Sequence, residues 1–180
     1  MNVAVYCGSV SGNDGIYAEK TKELGSFIAS KKWGLVFGAS DSGLMSVIAN
    51  SALEGGAHVL GVCPNVKGIR ERRHKALTEY VFTETMAERR SVMIDRADAF
   101  IALPGGPGTL DEISEIICLA KLNIKRRPCI LYNINGYYDK LKEFFDDMKT
   151  TGFADDGDLS FLLVSDDLNE ISEFIENYKD

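Results

Sequence analysis

Seven short apolar runs, almost uninterrupted by polar residues, alternate along the chain with longer amphipathic stretches. The runs are NVAVYC (2–7), GLVFGA (34–39), HVLGVC (58–63), YVFTE (80–84), DAFIAL (98–103), PCILYN (128–133) and FLLVS (161–165). Runs of this length without a polar alternate face predict strands buried on both sides, as in a parallel sheet covered by helices. Between them, apolar residues recur at helical spacing near 16–31, 43–54, 86–96, 109–122, 138–149 and 167–177. Repeated β–α alternation with right-handed crossovers predicts a Rossmann-like α/β fold: a doubly wound parallel sheet of about seven strands with helices on both faces. No linker, low-complexity tract or internal repeat divides residues 1–180, so one domain is expected. The segment 66–79, VKGIRERRHKALTE, is the least regular and reads as a long loop or short helix over one edge.

Composition narrows the partners. The chain of 180 residues carries a net charge of −7 with pI near 4.9, which argues against nucleic-acid polymers and anionic membranes. No apolar run approaches a membrane-spanning length, and the start MNVAVYCG has no basic region ahead of an apolar one. The four cysteines (Cys7, Cys63, Cys118, Cys129) lie in apolar contexts without CxxC spacing, as expected of reduced core thiols in a cytoplasmic protein. His58 and His74 have no ligand-spaced companions, so no metal site is expected.

Three glycine-bearing turns follow strands: YCGSVSG (6–12), FGASDSGLM (37–45) and LPGGPGTLDE (103–112). In open α/β sheets ligands sit at the carboxyl ends of the strands, where the strand order reverses. None of the turns is a GxGxxG or a GxxxxGK[ST], so neither a dinucleotide site nor an NTPase loop is indicated. The third turn is the richest. Gly105, Gly106 and Gly108 allow close approach of a ligand to the main chain. Thr109 would open the following helix, whose free N–H groups and dipole favour phosphate. The same residues also fit a capping box, with Thr109 as N-cap and Glu112 at the third position. On a helix Thr109 and Glu112 share a face, whereas Asp111 turns away by roughly 200°. A carboxylate repels phosphate, so Glu112 would act on a neighbouring part of the substrate such as a sugar. The stretch TMAERRSVMIDRADAF (85–100) adds Arg89 and Arg90 near a helix start, where cations oppose the dipole and ask for another purpose.

These residues resemble a known family. The run from Glu71 to Ile113 is similar to the "lonely guy" family of cytokinin riboside 5′-monophosphate phosphoribohydrolases, members of which have also carried the label lysine decarboxylase. Its hallmarks, M-x-x-R-K and PGGxGTxxE, fall on Met86–Arg90 and Pro104–Glu112. YCGS (6–9), GLM (43–45), NINGYYDKL (133–141) and TGF (151–153) extend the likeness. The resemblance implies a homodimer without metal or organic cofactor. It implies hydrolysis of the N-glycosidic bond of a purine nucleoside 5′-monophosphate, N6-substituted cytokinin types included, to free base and ribose 5-phosphate. Arg89 and Glu112 then take the catalytic positions. Gly105, Gly106, Gly108 and Thr109 take the phosphate cradle, with Gly8, Ser9, Met86 and Arg90 as further substrate contacts.

The chain departs from the family in its second glycine turn. Where GGGxxGLMG is usual, it has Gly38-Ala39-Ser40-Asp41-Ser42-Gly43-Leu44-Met45-Ser46, and each added Cβ is expected to obstruct a backbone–ligand approach. Arg90 stands for the usual lysine. These changes leave open an alternative, a nucleotide-binding or sensing protein that does not hydrolyse. Decarboxylation of lysine ordinarily needs pyridoxal phosphate and an activated lysine, and no lysine here has such a context.

Overall fold

A computed structural model describes residues 1–179; Asp180 lies outside the described residues. The seven apolar runs become β1 (Asn2–Tyr6), β2 (Gly34–Phe37), β3 (Val59–Pro64), β4 (Glu79–Thr83), β5 (Ala99–Ala102), β6 (Cys129–Tyr132) and β7 (Leu162–Ser165). All join one sheet in the order β4-β3-β2-β1-β5-β6-β7, and every pairing is parallel. The amphipathic stretches become α1 (Gly15–Ser30), α2 (Gly43–Glu54), α3 (Met86–Asp95), α4 (Pro107–Lys121), α5 (Asp139–Thr150) and α6 (Leu168–Asn177).

Alternation along each strand divides the core. Val3 and Val5 face α1, α2 and α6 through Leu24, Ile28, Ile48 and Ile171. Ala4 and Tyr6 face α3, α4 and α5 through Met93, Ile113, Ile116 and Phe145. The doubly wound fold with helices on both faces is therefore observed, because a strand buried on both sides needs apolar residues at consecutive positions.

The chain winds outward from β1 to β4, then returns through α3 to β5 on the other side of β1. The switch point thus lies between the carboxyl ends of β1 and β5. There Gly8 N–H donates to Pro104 O at 3.1 Å, and Gly8 O accepts from Leu44 N at 3.1 Å, joining all three glycine turns. Gly43 has φ of 55°, and a Cβ there would stand 2.4 Å from the Val10 nitrogen, so only glycine fits.

The irregular 66–79 segment contains one 3₁₀ turn, Arg70–Arg72, and is pinned rather than loose. Arg73 makes an isolated antiparallel bridge to Ser40, and Asp41 N donates to Arg72 O at 2.8 Å. His74 N donates to Ala39 O at 2.8 Å, while the His74 ring lies 2.9 Å from Asn50 Oδ1. Of the cysteines, Cys7, Cys63 and Cys129 are buried, but Cys118 is exposed on the outer face of α4, so it is not a core thiol.

Candidate functional site

Helix α4 begins two residues earlier than its sequence suggests. Gly106 is the N-cap and Pro107 the first helical residue, a position where the missing proline N–H is no loss. Thr109 is therefore inside the first turn, nearly buried, and the capping box does not form. Asp14, Thr85 and Asp167 cap α1, α3 and α6 with side-chain oxygens, but nothing caps α4. The N–H groups of Gly106, Gly108 and Thr109 have no acceptor among the described residues.

These groups open onto a cavity of about 400 Å³ over the carboxyl edge of the sheet. Gly8, Ser9, Met86, Arg89, Arg90, Gly106, Gly108, Thr109 and Glu112 all line it. Gly105 does not. A Cβ at Gly105 would lie 2.1 Å from Thr109 Oγ1, so this glycine packs against the helix start rather than facing the space.

Arg89 comes from α3 and Glu112 from α4, and the cavity brings them together across 23 residues. Arg89 Nη1 donates to Glu112 Oε1 at 2.8 Å, with side-chain exposures of only 9% and 12%. Burial pushes the Glu112 carboxyl above the ordinary carboxylate range, with Arg89 as the opposing influence. Tyr6 and Cys7 on the cavity floor are driven up by burial and, less, by Glu112, so both stay protonated. Arg90 is held differently, by Glu115 at 2.7 Å and Asp111 at 3.4 Å. Asp111 does not turn away as its helical angle suggests: it sits exposed on the rim, drawn there by Arg90.

The altered second turn intrudes less than expected. Ala39 occupies the left-handed region at φ of 60°, but it is buried and its Cβ points at Gly61 on β3, where an added Cβ would come within 2.9 Å. Ser46 donates its hydroxyl to Asp41 Oδ1 at 2.9 Å and does not line the cavity. Ser40 does line it. Gly38, which the chain retains, is the sensitive position: a Cβ there would fall 2.0 Å from Arg89 Nη2.

Sequence reasoning missed Ile69 and Arg72, which line the cavity from the pinned segment. Seven of the eight arginine side chains in the chain have a partner; the Arg72 side chain alone has neither hydrogen bond nor ion pair among the described residues. The RERRH run looks like a solvated charge cluster, and only the tertiary bridge of Arg73 to Ser40 sets the exposed Arg72 at the cavity rim. Among the described residues no group of His, Cys, Asp and Glu could hold a metal ion. No helix is long and apolar enough to cross a membrane.

An open sheet wound this way, with a helix terminus free at its switch point, is the architecture of the mononucleotide-binding α/β class. Residues 45–175 match the family model described as "possible lysine decarboxylase". The chain is 37% identical to a probable cytokinin riboside 5′-monophosphate phosphoribohydrolase, LOG4, of Oryza sativa subsp. japonica, over 94% of this chain and 74% of that one. It is 36% identical to LOG7 of Arabidopsis thaliana, covering 98% and 82%. It is 36% identical to the Rhodococcoides fascians cytokinin riboside 5′-monophosphate phosphoribohydrolase, covering 93% and 85%. The chain belongs to this phosphoribohydrolase (LOG) family. Among solved structures, the Moco carrier protein of Chlamydomonas reinhardtii superposes with a TM-score of 0.74 at 19% identity, covering 98% of each chain. The molybdenum cofactor binding protein of Rippkaea orientalis gives 0.73 at 21%, covering 97% and 94%. At such identities the likeness concerns the fold.

Proposed function

We propose that this chain hydrolyses the N-glycosidic bond of a purine nucleoside 5′-monophosphate, cytokinin-type N6-substituted nucleotides among them, releasing free base and ribose 5-phosphate. The observation that carries this reading is Glu112: a buried carboxylate, ion-paired to Arg89, opening on the same cavity as the uncapped start of α4. The N–H groups of Gly106, Gly108 and Thr109 take the phosphate, where the helix dipole favours a negative charge. Gly8, Ser9, Met86 and Arg90 complete the walls of the substrate space.

Breaking the bond builds positive charge on C1′ and the ring oxygen. Glu112 stabilises that charge and orients the attacking water, and a carboxylate made more basic by burial accepts its proton more readily. Arg89 holds the carboxylate in one orientation through the 2.8 Å bond. Phosphate binding at the far end keeps the sugar in register with Glu112. Asp111 is exposed and engaged by Arg90, so a two-carboxylate glycosidase arrangement is not built here. No lysine lines the cavity, which leaves the decarboxylase wording of the family description without a reacting group.

We also place the working protein in the cytoplasm as a homodimer. Leu110, Ser114, Cys118 and Leu122, four residues apart in turn, form an exposed stripe along α4 that a second copy would cover. A dimer through this face shields Cys118 from thiol reagents; a monomer in solution with a reactive Cys118 would overturn it.

The deciding assay incubates the purified chain with AMP, isopentenyladenosine monophosphate and the matching free ribosides, read by chromatography. Free base is expected from the monophosphates and not from the ribosides. Stabilisation by nucleotide without base release would instead support a non-hydrolysing binding protein.

A further inference from the structure

The GYY of NINGYYDKL, after β6, has no part in the chemistry above, yet it sits against the phosphate turn. Its backbone is shaped for that approach. Asn135 and Gly136 both lie in the left-handed region, at φ of 53° and 70°, and a Cβ at Gly136 would meet Asp139 Oδ2 at 2.6 Å. Asn133 locks the turn, accepting from Tyr138 N at 2.7 Å and donating to Asp139 at 2.7 Å. Two consecutive left-handed residues, one not a glycine, are strain held by the surrounding contacts.

The tyrosines spend their hydroxyls on carbonyls. Tyr138 donates to Leu103 O at 2.7 Å, and Tyr137 donates to Gly105 O. Gly8 N takes Pro104 O, and Leu110 N takes Gly106 O. All four carbonyls from Leu103 to Gly106 are thereby occupied, so none faces an anion in the cavity. Peptide planarity sharpens the point for Tyr137. All peptides in the described chain are trans, so a carbonyl and the N–H of the next residue point in opposite directions. A hydroxyl that fixes Gly105 O on the outer side aims Gly106 N–H to the other, toward the cavity that Gly106 lines.

We propose that Tyr137 is a positioning residue: it holds the Gly105–Gly106 peptide so that the Gly106 N–H is presented to the substrate phosphate. The proposal rests on the reading of the α4 terminus as a phosphate site. Tyr137 itself is 44% exposed and stacks edge-on against Tyr17 and Tyr138, so removing its hydroxyl leaves the packing in place.

The test compares the full-length chain with Tyr137→Phe, Gly106→Pro and the double variant. Orthophosphate affinity is measured by calorimetry, KM and kcat on AMP by base release, and folding by thermal melting. Tyr137→Phe is expected to weaken orthophosphate and raise KM by about tenfold, with kcat and the melting temperature little changed. Gly106→Pro deletes the aimed donor, so adding Tyr137→Phe to it is expected to cost nothing more. Effects that multiply in the double variant, or an unaltered orthophosphate affinity in Tyr137→Phe, overturn the proposal. A wild-type chain that binds orthophosphate but releases no base sinks the hydrolase reading alone, and the calorimetric cycle still decides Tyr137. A wild-type chain that binds neither orthophosphate nor nucleotide sinks both.

Discussion

Replacing Glu112 by glutamine keeps the shape of the site and removes its charge. Glutamine Oε1 can still accept the Arg89 Nη1 bond that the carboxylate accepts at 2.8 Å, so the change isolates electrostatics and proton transfer. A carboxylate about 4 Å from the developing positive charge, at an effective dielectric near 20, contributes about 4 kcal/mol. That is about a thousandfold in rate, within the range general bases alone supply. kcat/KM on AMP is therefore expected to fall by about a thousandfold, read by chromatographic base release. Loss of one charge from a buried pair destabilises by up to about 3–5 kcal/mol, and the retained hydrogen bond and open cavity reduce this, so the variant should remain folded by circular dichroism. The pH dependence carries its own sign. Burial raises the Glu112 pKa, so the wild-type rate is lost on acidification at a pH above that at which a free glutamate protonates. The folded chain holds this proton more tightly than the unfolded one. The stability contribution is thus full below the unfolded pKa and declines as pH rises through the folded value. A Glu112→Gln protein retaining more than about a tenth of the wild-type kcat/KM would refute the reasoning, since no thousandfold term could then reside in the charge.

Gly38→Ala places a methyl 2.0 Å from Arg89 Nη2, so the guanidinium must shift from its buried bond to Glu112; base release is expected to drop by about tenfold or more, and the melting temperature to fall with the loss of that pair. Gly61→Ala, by contrast, forces a Cβ within 2.3 Å of Leu77 Cδ1 and 2.9 Å of Ala39 Cβ, and denaturant unfolding should show about 1–3 kcal/mol of lost stability. Arg72→Ala removes the one cation of the cavity that no described side chain neutralises, and nucleotide affinity measured by calorimetry should weaken by about tenfold. An unchanged affinity would mean that Arg72 faces solvent alone.

The strands and helices were legible because the inner apolar runs are buried on both faces, the edge strands β4 and β7 only partly, and the helices are apolar on one side; no expected element is missing. The start of α4 was misjudged because Thr109-x-x-Glu112 satisfies a local capping pattern, and only the tertiary bond to Arg89 draws Glu112 away from it. Cys118 was misjudged for a similar reason: its neighbours Ile117 and Leu119 are apolar, but the helical angle turns it outward. The role of Arg72 was invisible because the bridge between Ser40 and Arg73 joins segments more than thirty residues apart, with no local signature. The second glycine turn shows the converse: replacing glycines looked obstructive in the sequence, yet Ala39 points its methyl into the sheet.

The return of α3 from the outer edge of the sheet past its centre has a further result. The first four strands and the turns between them supply Ser9, Gly38, Pro64 and Arg72 to the pocket wall, and everything after β4 supplies Arg89, Gly106 and Glu112. A nucleotide seated there touches both halves of the polypeptide at once and so fastens one to the other. Its arrival should slow amide exchange in 66–79 and in β4, far along the chain from α4, because opening either half then requires the guest to leave.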